Sequence, residues 1–231
     1  MAYIFFDLDG TLTNSEAGIL NALKYALEKL DLKIPEDATL RKMIGPPLAE
    51  SFTKILALPE EKIPEAIAFY REYFATSGLF ENELYEGIVD LLEALQIKKH
   101  YLAVATGKPE PFALQILAHF DLSSYFDDVV GATLDGKLSK KTDILEIALK
   151  NSGVHKDSAI MIGDRKYDIL AAHACGIKSI GVTWGFGSIE ELKSANADEI
   201  IHFPDELLLL LHRKYSDLSI KKEEICQKHT V

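Results

Sequence analysis

Tyr3-Ile4-Phe5-Phe6-Asp7-Leu8-Asp9-Gly10-Thr11-Leu12 is the stretch on which the reading of this chain turns. Four apolar residues make a short run that suits a buried strand, and a turn signal follows at once. Two carboxylates two residues apart then stand at the strand's carboxyl end, where open α/β sheets bind their ligands. Both can approach one cation there, and Gly10 lets the backbone turn sharply and come close to a ligand. Taken alone, an Asp-x-Asp pair is more often a solvated turn, so the weight falls on what the rest of the chain adds.

Four more runs share the character of the first: Tyr101–Ala105, Asp128–Val130, Ala159–Ile162 and Ser179–Val182. Between them lie apolar residues at spacings of three and four, which put one apolar face on a helix. Ile88, Leu91, Leu92 and Leu95 form one such face; Phe112, Ile116, Leu117 and Phe120 another; Ile144, Leu145, Ala148 and Leu149 a third. Strands alternating with helices predict an α/β fold, a doubly wound parallel sheet with right-handed crossovers and helices on both faces. Residues 15–83 break the alternation. They hold helix patterns only, with Ser15 as the expected N-cap and Ile19, Leu20, Leu23, Leu27 and Leu30 on one face. Pro35, Pro46, Pro47, Pro59 and Pro64 punctuate further short helices. The expected organisation is a core domain of residues 1–14 and 84–231, with a small all-helical domain of residues 15–83 inserted over the end of the sheet. From about Arg213 the tail is polar and rich in Lys and Glu, a last solvated helix or a frayed terminus.

Composition narrows the function classes. With 231 residues, 48% of them hydrophobic, the chain can bury a sizeable core. A formal net charge of -11 argues against non-specific nucleic-acid binding and against docking on anionic membranes, both of which draw on Lys and Arg. The two cysteines, Cys175 and Cys226, make neither a disulfide framework nor a Cys-rich metal site. Cys175 reads as a small apolar helix residue. The chain enters a strand at once, with no basic stretch and apolar core of a signal peptide, and Leu207–Leu211 is too short to span a bilayer. A cytoplasmic protein is the expectation.

Three further polar clusters stand at the ends of other strands. Thr106-Gly107-Lys108 follows Tyr101–Ala105; a hydroxyl and backbone N–H groups ahead of a helix can hold phosphate oxygens. Lys140 follows Leu134-Asp135-Gly136-Lys137-Leu138-Ser139 and precedes a helix, where a fixed cation can neutralise both a carboxylate and a phosphate. Lys141 is its neighbour, which leaves a one-residue ambiguity. Gly163-Asp164-Arg165-Lys166-Tyr167-Asp168 follows Ala159–Ile162, and Asp164 and Asp168, four apart, share a helix face if the helix begins near Asp164. Asp7 and Asp164, with the Asp9 backbone carbonyl, suit a hard cation such as Mg²⁺. Each cluster alone has a plain reading as a cap or a solvated charge. Four of them at four strand ends are what phosphoryl transfer by positioning and charge neutralisation requires.

With these residues in view, the chain resembles the haloacid dehalogenase superfamily over almost its whole length, and within it the phosphoglycolate phosphatase-like and nucleotidase-like branch. The resemblance rests on Asp7-Leu-Asp9-Gly-Thr11-Leu, Thr106, Lys140 and Gly163-Asp164-x-x-x-Asp168. Ile44-Gly45-Pro46-Pro47-Leu48 and Thr183-Trp184-Gly185-Phe186-Gly187 resemble strings of that branch. It implies a Rossmann-like core and an α-helical cap. It implies Asp7 as nucleophile, Asp9 as general acid and then base, and Lys140 as the stabilising cation. Thr106 and Gly107 would bind the phosphoryl group, and Asp7, Asp9, Asp164 and Asp168 would hold Mg²⁺; by their place in the sequence Thr11 and Lys108 are further candidates for substrate contact. Arg41, Lys42 and the Gly45-Pro46-Pro47 turn are the cap's candidates for substrate contact, and Asn14 lies near the site. Two departures stand out: Thr106 is followed by Gly107 where Asn is usual, and Lys140 by Lys141 where Pro is common. The implied substrate is a small phosphate ester such as phosphoglycolate, a nucleoside monophosphate or a sugar phosphate, acted on by a monomer or homodimer. Asp9 with Asp164 argues against dehalogenase and phosphonatase chemistry. A sugar-phosphate mutase and a non-catalytic phosphate-binding protein remain the alternatives.

Overall fold

The run Tyr3–Phe6 is strand β1, buried on both sides: Ile4 and Phe6 join one apolar cluster and Phe5 the other. A strand buried on both faces needs neighbouring strands and helices above and below it. The computed structural model, which describes residues 1–212, supplies them. After β1 the elements run β2 (Thr13–Asn14), α1 (Glu16–Lys29), α2 (Asp37–Leu40), α3 (Leu48–Lys54), α4 (Ile63–Tyr73), β3 (Glu83–Leu84), α5 (Ile88–Ile97), β4 (Tyr101–Pro109), α6 (Glu110–His119), β5 (Asp128–Ala132), α7 (Lys141–Ser152), β6 (Ala159–Gly163), α8 (Lys166–Cys175), β7 (Lys178–Val182), α9 (Ile189–Ser194) and β8 (Glu199–Ile201).

The main sheet has six strands in the order β5-β4-β1-β6-β7-β8, and every pairing is parallel. The chain winds from β1 outward to β4 and β5, then returns to lay β6 on the other side of β1. That reversal opens a crevice at the carboxyl ends of β1, β4 and β6, the usual ligand site of such a sheet. α5 and α6 cover the face of Ile4 and Phe6, and α7 and α8 the face of Phe5. The expected doubly wound α/β architecture is the observed one. Each fully buried Phe, Leu or Ile contributes about 1.5–3 kcal/mol of apolar burial to holding it.

Several details differ from the sequence reading. β4 extends to Pro109, and its register against β5 shifts between Thr106, opposite Gly131, and Pro109, opposite Ala132. The extra residues bulge out of the ladder, a device that re-aims side chains at the rim of a sheet. β8 has only three residues with one buried, too short for a periodic signal. Ser15 precedes α1, but its side chain makes no cap hydrogen bond; Asn14 Oδ1 accepts from the Glu16 amide at 3.2 Å instead.

From Glu16 to Gly78 the chain is helices and turns only, ending in the π-helical turn Phe74–Gly78. α1 packs along α4, where Leu20, Leu23, Leu27 and Phe74 are buried. This insert leaves and rejoins the core through the antiparallel pair β2–β3, with Thr13 opposite Leu84 and Asn14 opposite Glu83. Among the described residues no helix is long and apolar enough to cross a membrane. The polar stretch from Arg213 onward, with Cys226, lies outside the described residues.

Candidate active site

β1 delivers Asp7 to the crevice, with its amide donating to the Ile162 carbonyl of β6 at 2.9 Å. The turn behind it is tight: the amides of Thr11, Leu12 and Thr13 all donate to the Leu8 carbonyl. Gly10 has φ +84°, and a Cβ on it would stand 2.3 Å from Asp164 Oδ2. Only glycine permits both the turn and that approach of the carboxylate.

Carboxylate oxygens of Asp7, Asp164 and Asp168 lie within 4.8 Å of one another, and all three residues are buried. The cation among them is Lys141, whose Nζ is 2.7 Å from Asp7 Oδ1 and 2.8 Å from Asp168 Oδ1. This corrects the expectation of Lys140. Lys140 is the exposed N-cap residue of α7, and the first helical position turns Lys141, not Lys140, into the crevice. Burial works against the charged ammonium, but Asp168 and Asp7 outweigh it and hold the Lys141 pKa above its ordinary value. Burial first, then the charges of Asp168 and Asp7, push the Asp164 carboxyl well above the usual carboxylate range. The Phe186 amide, donating to Asp164 Oδ2 at 2.7 Å, pulls the other way. Three crowded carboxylates with one ammonium leave an excess of negative charge. An oxygen-seeking divalent cation fits that donor set.

Asp168 does not share a helix face with Asp164. α8 begins after Asp164, and Asp168 Oδ2 reaches back to accept from the Arg165 amide at 3.1 Å. With its other oxygen on Lys141, Asp168 orients the lysine and the loop. The Asp9 carboxylate stands apart from the cluster: its Oδ2 pairs with Lys108 Nζ at 2.8 Å, and its buried Oδ1 has no hydrogen-bond partner. Lys108 is itself buried and lies 4.4 Å from the centroid of the Phe74 ring, so it bridges the acid and the insert. The bulge of β4 sets this up, with Thr106 Oγ1 accepting from the Lys108 amide at 3.2 Å. A Cβ on Gly107 would meet nothing within 4 Å, so its backbone faces open space.

Two expected residues have protein partners of their own. Thr11 is buried with its hydroxyl 3.5 Å from Asp164 Oδ1, and its carbonyl accepts from Trp184 Nε1 at 3.0 Å. It supports the carboxylate rather than lining the opening. Arg41 is exposed and ion-paired with Glu16 at the start of α1. The sequence reading passed over Arg165 and Glu191, which join the loop after Asp164 to the helical insert. It also gave no role to Phe186, whose amide holds Asp164.

This arrangement can be set beside known proteins. The model of the haloacid dehalogenase-like hydrolases matches residues 4–182. The chain belongs to that family. A 5'-nucleotidase of Pseudomonas aeruginosa is 41% identical over 191 residues, 83% of this chain and 86% of the relative. A phosphoglycolate phosphatase of Vibrio parahaemolyticus is 29% identical over 213 residues, 89% of this chain and 93% of the relative. Among solved structures, a predicted phosphatase from Clostridium acetobutylicum superposes with a TM-score of 0.87 at 47% identity, covering 94% of this chain and 98% of that one. The resemblance drawn from the motifs is therefore borne out, and the family member is an enzyme of the phosphoric monoester hydrolase kind.

Proposed function

We propose that the protein is a magnesium-dependent phosphatase of small phosphate monoesters that works through a phosphoryl group carried on Asp7. The observation that carries the reading is the Lys141 ammonium bridging Asp7 and Asp168, beside Asp164, at the mouth of three strands. A buried carboxylate fixed by a cation at a strand end is positioned for in-line attack on phosphorus. Asp7, Asp164 and the backbone at Asp9 would hold Mg²⁺, which supplies neutralisation of the phosphate's charge when bound. Asp7 attacks and the leaving oxygen takes its proton from Asp9. Asp9 then draws a proton from water, which attacks the aspartyl-phosphate. Thr106 and the open backbone of Gly107 receive the phosphoryl oxygens. Lys141 offsets charge on Asp7 and on the transferring group. Residues 15–83 act as a cap over residues 1–14 and 84–212, with Lys108 and Phe74 meeting where the two face each other.

The relative with the higher identity is named for nucleotides, which puts nucleoside monophosphates first on the substrate panel. Phosphoglycolate and sugar phosphates complete it. Phosphate release is measured with Mg²⁺ and with a chelator. Asp7→Asn should lose about a thousandfold or more in kcat while still folding cooperatively, because an amide is no nucleophile. Activity surviving in Asp7→Asn would sink the mechanism. Silence of the wild-type enzyme on every ester would move the assignment to a mutase or a non-catalytic binder.

A further inference from the structure

Arg165 is part of the loop that carries Asp164, yet its side chain turns away from the carboxylates and toward the helical insert. Its Nε donates to Glu191 Oε1 at 2.9 Å, and Nη2 lies 3.4 Å from Glu191 Oε2. This side-on, two-point contact fixes the plane of the guanidinium. The third nitrogen, Nη1, then points across the cleft and donates to the carbonyl of Ile44 in the insert. Glu191 is fixed in turn: Oε1 also accepts from the Lys166 amide at 2.9 Å, and the residue stands in the first turn of α9, capped by Ser188. The Arg165 side chain is 12% exposed and that of Glu191 23%, so water screens the pair only partly.

The insert's side of the contact is built to receive it. Gly45 has φ +106°, and a Cβ there would come 2.9 Å from Arg165 Nη1. Pro46 and Pro47 follow and stiffen the turn, so the Ile44 carbonyl is presented on a rigid loop. The ring of Tyr167, two residues further on at the start of α8, has its centroid 5.9 Å from the Arg165 guanidinium. Meanwhile the backbone amide of Arg165 is held by Asp168, the partner of Lys141. One residue therefore connects the carboxylate loop, through Glu191, to the insert's proline turn.

We infer that Arg165 is a positioning residue that latches the insert in its closed position over the cleft, with Glu191 as the anchor that aims it. The inference rests on the phosphatase reading for its kinetic arm only. A latch that stabilises the closed state raises the fraction of binding-competent enzyme, and loosening it weakens apparent affinity by that fraction. It does not touch phosphorus, so chemistry at saturation stays close to wild type.

The test uses two variants. Arg165→Lys retains a charge but cannot hold Glu191 at two points and reach Ile44 together. Glu191→Gln leaves Arg165 in place and loosens its aim without altering any of the three clustered carboxylates. Spin labels at Glu65→Cys on α4 and Lys150→Cys on α7, both exposed, are placed in a Cys226→Ser background, with Cys175 buried. Pulsed electron resonance of the full chain, without substrate, should give one narrow distance for the latched protein. Both variants should broaden it toward longer distances, Arg165→Lys more. In steady-state assays on the best ester, KM should rise about five- to tenfold with kcat within about twofold. Unchanged distance distributions would overturn the latch, as would a loss confined to kcat. If Arg165→Lys does not fold, Glu191→Gln decides alone. If the wild-type enzyme hydrolyses no ester, the reaction reading fails while the distances still judge the latch.

Discussion

Lys140 and Lys141 differ by one position and by everything that matters to the site. Lys141 Nζ touches Asp7 and Asp168, whereas Lys140 is exposed at the helix cap. Lys141→Met should therefore cut kcat by about a hundredfold or more by removing the cation beside a buried carboxylate, and Lys140→Met should leave kcat within about twofold. Steady-state kinetics on the two variants side by side checks this. Equal effects would mean the bridge is not functional. The spacing of residues from strand end to helix start left the two lysines interchangeable, since a helix turns each successive residue by about 100° and the sequence does not mark where α7 begins. Asp7, Asp9, Thr106 and Asp164 were legible because strand ends are marked by apolar runs. Phe186 and Arg165 were not, since a backbone amide has no side-chain signature and a lone arginine after Asp164 looks like a solvated charge.

Among the elements, the sheet's outer edge has an electrostatic tie of its own. Asp198, just before β8, accepts from the Ser179 amide at 3.0 Å and the Ser179 hydroxyl at 2.9 Å, and it pairs with Lys178 at the start of β7. Partial burial would raise its pKa, but Lys178 and Ser179 outweigh that and bring it down to about 2. A carboxyl with a depressed folded pKa contributes stability above its unfolded value near 4, and that contribution is lost as pH falls toward about 2. Asp198→Asn should cost about 1 kcal/mol at neutral pH, after allowing for solvent screening, and should flatten the acid limb of stability between about pH 4 and 2. Urea unfolding at several pH values measures both; an unaltered acid limb would assign the pH dependence elsewhere. β1 and β4–β7 were readable from apolar runs. β8 was not, because three residues with one buried side chain are too few to show a period. The bulge in β4 was equally invisible: it depends on pairing with Gly131, and pairing is not written in either strand alone.

For the whole molecule, the carboxylate cluster sets a balance between stability and chemistry. Asp164 is buried beside Asp7 and Asp168, and their repulsion opposes folding until a cation offsets it. Mg²⁺ at about a hundredfold above its Kd should stabilise the protein by about 2.7 kcal/mol, and a chelator should reverse the rise in Tm. Asp164→Asn should raise the metal-free Tm and erase most of the Mg²⁺ response. A calorimetric scan in which Mg²⁺ shifts neither protein would remove the cluster from the list of metal sites. The alternation of strands and helices made the architecture legible, but how the insert meets the core was not, because those contacts join residues far apart in the chain, Ile44 and Arg165 by 121 positions. The insert departs after β2 and returns at β3, two strands lying side by side. Such a doorway makes the helical segment a graftable cassette. A lineage could exchange or shorten it between β2 and β3 while the order of the six parallel strands stays as it is.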